Sequence, residues 1–119
     1  MTANQILFIA GIACGLHSTV LAADLAGHKL LVTSVRAGDT EVFIADPTTG
    51  DMLNVSRSPK SEDRYPCWSP DSKQIVYSFP VGDALELFIV NVDGTGNRQL
   101  TKFGGNSVCT PSAWSPDDT

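Results

Sequence analysis

The tetrapeptide Trp68-Ser69-Pro70-Asp71 returns as Trp114-Ser115-Pro116-Asp117, with the two tryptophans 46 positions apart. A box repeated at a spacing of about 40 to 50 residues is the sequence form of a repeat architecture, in which one small unit buries its faces against copies of itself. The rest of the chain is read outward from these two boxes.

Around them the sequence falls into short runs rich in Val, Ile, Phe and Thr, broken by Gly, Pro, Asp and Asn. That pattern predicts short strands joined by tight turns. A first set of strands is expected at Lys29 to Val35, Glu41 to Asp46 and Met52 to Ser56. A second is expected at Tyr65 to Trp68, Gln74 to Phe79, Glu86 to Val92 and Arg98 to Thr101. No stretch after Asp24 carries a 3.6-residue apolar period, so the expected fold class is all-β.

The two sets superpose. Val32-Thr33-Ser34 matches Val76-Tyr77-Ser78, and Gly38-Asp39 matches Gly82-Asp83, at an offset of 44. Glu41-Val42-Phe43-Ile44 matches Glu86-Leu87-Phe88-Ile89, and Asn54-Val55-Ser56 matches Gln99-Leu100-Thr101, at 45. Drift of one or two residues in the loops with the strands kept in order is how tandem structural units differ from one another.

The turns have a physical basis. In Ser69-Pro70-Asp71-Ser72 the proline presets φ for the second turn position, and the Ser69 hydroxyl can cap the turn. Asp93-Gly94 supplies the positive φ needed between the strands at Glu86 and Arg98, and Pro47-Thr48-Thr49-Gly50 does the same in the first unit. Trp68 and Trp114 begin their turns either as exposed binding anchors or as rings filling the gap between neighbouring sheets. Recurrence at one place in each unit favours the second.

The run from Tyr65 to Ser78, then Glu86-Leu87-Phe88-Ile89-Val90, Asp93-Gly94-Thr95-Gly96 and Gln99-Leu100-Thr101, resembles the TolB-like branch of WD-repeat-like β-propellers. That family's box is Trp-Ser-Pro-Asp-Gly-Lys, and Ser72 and Asp118 stand where it has glycine. The resemblance implies four-stranded antiparallel blades, two of them here with the start of a third, hence an incomplete propeller over residues 24–119 and a longer parent protein, since closed propellers need at least four blades. It also implies a protein partner in the bacterial cell envelope.

The first 23 residues differ from the remainder. No charged side chain occurs from Ile6 to Ala23, and Ile6 to Ala13 forms an apolar core of the length a secretory signal needs. Cleavage is expected near Ala22 or Ala23, which places the mature chain in the periplasm or outside the cell with no stable membrane span. Gly11-Ile12-Ala13-Cys14 distantly resembles a bacterial lipoprotein box, a lesser alternative.

A formal charge of −5, with eight scattered Lys and Arg residues, argues against a nucleic-acid groove. After the leader there is one histidine, His28, and no spacing suited to zinc, a phosphate loop, an EF-hand or a nucleophile elbow. The sequence nominates no catalytic residue, no metal ligand and no cofactor. Cys67 and Cys109 could pair after export, but they lie at unequal positions relative to their tryptophans, which favours two small buried residues. The expected function is an exported, non-enzymatic scaffold that binds protein across the loops of one face. The alternative is the propeller of a larger α/β-hydrolase-type peptidase. A weaker third reading is carbohydrate or metal binding at a central channel.

Overall fold

The computed structural model describes residues 27–36, 38–111 and 114–117. The signal segment, Cys14, the cleavage positions and Asp118 lie outside them. The described chain is all-β, with two antiparallel sheets and no helix among these residues. The first sheet holds β1 (Leu30–Ser34), β2 (Glu41–Ala45) and β3 (Met52–Asn54). The second holds β4 (Arg64–Trp68), β5 (Gln74–Val81), β6 (Ala84–Asn91) and β7 (Arg98–Gln99). Both are meanders in chain order, and all seven strands fall where alternation and turn residues predict them.

Register decides how the two sheets correspond. Val32 lies opposite Phe43 in the first sheet, and Tyr77 lies opposite Phe88 in the second. Phe43 and Phe88 are in turn opposite Asn54 and Gln99. All three strands of the first sheet therefore map onto β5, β6 and β7 at one offset of 45. This corrects the offset of 44 expected for Val32-Thr33-Ser34. Short runs of branched and hydroxyl residues look alike when slid by one position, yet a one-residue slip moves every side chain to the other face.

The same offset recurs in hydrogen bonds outside the ladders. The Val42 N–H donates to Ser56 Oγ at 3.0 Å, and the Leu87 N–H donates to Thr101 Oγ1 at 2.9 Å. The Val55 N–H donates to the Val42 carbonyl at 2.9 Å, and the Leu100 N–H to the Leu87 carbonyl at 2.7 Å. Gly27, 45 positions before Ser72, has φ +80 where Ser72 has φ +59. The first unit thus carries a glycine at the position where the second makes do with serine.

One apolar core joins the sheets. Leu31, Val42 and Val55 from the first pack with Ile75, Tyr77 and Val90 from the second, and Ile44, Trp68, Phe79, Phe88 and Val92 close around them. Phe88 stacks at a tilt on Tyr77 and Phe79, with centroids 6.1 and 4.7 Å apart. At the offset of 45, Leu31 and Val42 correspond to Val76 and Leu87, which point away from Ile75 and Tyr77 because successive strand residues alternate faces. The packing is therefore head to tail: the forward face of the first sheet meets the rear face of the second. The second sheet's own forward face, with Val76 and Ile89 buried, is met by the returning chain, where Ser78 Oγ donates to the Cys109 carbonyl at 2.6 Å.

Candidate interaction face

The strands expose two opposite rims. One carries the tight turns at 46–51, 69–73 and 91–97. The other carries the 35–40 and 81–84 connections and the crossover from the first sheet to the second.

The turn rim is built for stability. The Ser72 N–H donates to the Ser69 carbonyl and the Ser69 N–H to the Gln74 carbonyl, both at 2.9 Å. The buried Ser69 hydroxyl accepts the Gln74 N–H at 3.0 Å and donates to Asp71 Oδ1 at 2.7 Å. Asp71 Oδ1 also accepts the Lys73 N–H, and these bonds, Ser69 first, hold the Asp71 carboxyl below its ordinary value. Ser69 thus caps the turn as its sequence position predicts. Gly94 takes φ +82 and Gly50 φ +77, as their hairpins require. Trp68 packs against the inter-sheet core, so its ring fills the gap between sheets. A cleft of about 400 Å³ opens beside it, lined by Ile44, Met52, Leu53 and Val92 with His28 and the Lys29–Asp46 ion pair at the edge. Lys29, followed by the Thr48 hydroxyl, drives the Asp46 carboxyl far below the usual carboxylate range.

The crossover rim is built differently. Arg57, Lys60 and Tyr65 all take left-handed backbone, with φ 49, 67 and 54. Each such residue costs about 1–2 kcal/mol, and surrounding bonds must impose it. Asn54 Oδ1 accepts the Arg57 N–H at 2.9 Å, and Asp39 Oδ2 accepts the Lys60 N–H at 2.7 Å. Tyr65 lies in a register shift, since Arg64 pairs with Ser78 while Cys67 pairs with Val76. This bulge and Pro66 both fit an edge strand, where a missing N–H is tolerated. A proline within a strand is the signal by which the sequence could have located this edge. The tyrosine's left-handed backbone had no such signal.

Apolar side chains gather at this rim. Val35, Tyr65, Phe103 and Val108 each expose more than half of their surface, and Val81 exposes two-fifths. Within the second sheet Arg64 is opposite Ser78, Val81 is opposite Ala84, and Leu85, opposite Pro80, bridges to Val108. A charged groove of about 480 Å³, with Asp39, Lys60, Glu62 and Arg64 in its wall, opens alongside. Glu62 holds Arg64 in an ion pair and raises its already high pKa.

Cys67 and Cys109 are free, half-buried thiols, and burial pushes the Cys67 thiol up. Among the described residues no group of three or more His, Cys, Asp or Glu side chains could hold a metal ion, and no helix is long and apolar enough to cross a membrane. No protein-family model matches the chain.

Proposed function

We propose that this chain is part of an exported, TolB-like β-propeller scaffold that binds a protein partner at its crossover rim. The observation that carries the reading is head-to-tail repetition. Two sheets related by one offset pack forward face to rear face, and the chain leaves the second sheet as it left the first. The Asp63 N–H donates to the Thr40 carbonyl at 2.8 Å, and the Cys109 N–H donates to the Leu85 carbonyl at 2.9 Å. Asp63 and Cys109 each stand five residues before their tryptophan. Such a unit propagates, because each sheet's forward face needs a successor to cover it. Exposed aromatic and apolar side chains beside charged groups support the crossover rim as the docking face, since interfaces combine apolar anchors with a polar surround.

Two experiments test this. Amino-terminal sequencing of the protein recovered from the periplasm of a bacterial host should find a start near Asp24; retention of Met1 in the cytoplasm refutes export. A photo-crosslinking side chain at Tyr65 should join one defined envelope protein that the same probe at Ser72, on the opposite rim, does not reach. Equal labelling from both positions refutes the assignment of the face.

A further inference from the structure

The joint between the two sheets holds one group that its backbone does not require. Asp63 ends the crossover and is wholly buried, at 0% exposure. Its N–H ties the crossover to Thr40 of the first sheet, and the next residue begins β4 of the second. Asp63 Oδ1 accepts the Ser61 hydroxyl at 2.9 Å, while Oδ2 has no partner. The hydroxyls of Ser56 and Ser58 complete its polar surroundings, and the titratable groups facing it are Glu41 from β2 and Tyr77 from β5. Neither is a cation. The nearby arginines are engaged elsewhere, Arg64 with Glu62 and Arg57 with the Asn54 carbonyl.

The second crossover is the control that the molecule itself provides. Cys109 occupies the same place relative to its tryptophan and makes the equivalent backbone bond to Leu85. The turn is therefore built equally well without a carboxyl. An ionised carboxylate at Asp63 would be desolvated beside a second acid and without a counter-charge, an arrangement proteins avoid by keeping the group neutral.

We infer that Asp63 is a proton-operated latch on the inter-sheet joint: fully buried, with one carboxyl oxygen unpartnered and no cation facing it, it is held as a neutral acid, and its ionisation loosens the contact between the sheets. Burial pushes the Asp63 carboxyl upward and the Glu41 charge adds to the rise, against the pull of the Ser56, Ser61 and Ser58 hydroxyls. With the folded value above the unfolded one, the folded state holds a proton that the unfolded state releases. This contribution to stability is complete below the ordinary carboxylate value of 3.8 and is lost as pH rises through the folded value.

The test uses the full chain, as wild type and as Asp63→Asn, in urea unfolding from about pH 4 to 8, together with a carbon-13 carboxyl titration of the wild type. The wild-type folding constant should fall with rising pH, by up to about tenfold per unit inside the window for one linked proton. Asp63→Asn, an isostere that still donates, should lose that slope, and the Asp63 resonance should titrate above every other aspartate. Equal slopes in the two proteins overturn the inference. So does an Asp63 midpoint at or below the ordinary value, a result that stands even if the variant does not fold.

Discussion

Replacing Ser72 with glycine should stabilise the protein. Ser72 holds φ +59 at the end of the Trp68 box turn, where its N–H donates to the Ser69 carbonyl at 2.9 Å. The side-chain bonds of that turn come from Ser69 and Asp71, so removing the Ser72 hydroxymethyl leaves the cap in place. A left-handed L residue costs about 1–2 kcal/mol. Glycine returns about 0.4–1 kcal/mol of that through the greater freedom of the unfolded chain. The net gain is about 0.5–1 kcal/mol, or roughly 2–6 °C in Tm for a domain of this size. Urea unfolding followed by tryptophan emission reads it as a higher midpoint at unchanged slope. Ser72→Ala is the control, because it removes the hydroxyl but keeps the Cβ and its strain. The reasoning is refuted if Ser72→Gly is no more stable than Ser72→Ala, or less stable than the wild type.

The reverse change at Gly50 tests the same physics: φ is +77 and a Cβ there would meet nothing within 4 Å, so Gly50→Ala should lose about 0.5–1 kcal/mol net in urea unfolding, strain less the reduced freedom of the unfolded chain. Ile75 is fully buried in the inter-sheet core; Ile75→Val should cost about 0.5–1.5 kcal/mol and Ile75→Ala about 2–5 kcal/mol, measured as a lower urea midpoint. Asp46, Asp71, Asp93 and Glu86 are all held below their ordinary values, chiefly by Lys29, Ser69, Thr95 and Thr101 respectively. Their folded values lie below their unfolded ones, so this stabilisation is present above the ordinary carboxylate value and is lost as pH falls through the folded values, and urea midpoints should drop below about pH 4. That window lies on the acid side of the one assigned to Asp63. The Cys67 thiol, raised by burial, should react slowly with a thiol reagent at neutral pH in the folded protein and quickly in urea, and non-reducing electrophoresis should find no bridge to Cys109.

Much of the candidate face was hidden from the sequence for a physical reason. Pro66 could have marked an edge strand, but nothing in Arg57, Lys60 or Tyr65 announces left-handed backbone, since those residue types disfavour it and adopt it only when distant partners such as Asp39 impose it. The exposure of Phe103 and Val108 was equally unreadable, because an apolar residue beside a turn looks the same whether or not a neighbour covers it. Nothing in the residues around Asp63 distinguishes it from an exposed loop aspartate. Its burial depends on two sheets closing over it.

Local chemistry by itself determined the strands, their order and their turns. Alternation, β-branched residues, the Ser69 cap and the glycines at Gly50 and Gly94 act within a few residues, and the repeat of the Trp box made the tandem units visible. Only the tertiary structure decided the shared offset of 45, the head-to-tail packing of Leu31 and Val42 on Ile75 and Tyr77, the unpartnered acid at Asp63 and the rim that gathers exposed apolar groups. Each of these is a relation between residues far apart in the chain. Register is set by which faces become buried together, and a side chain's ionisation by what closes over it, so neither can be read from a residue and its neighbours in sequence.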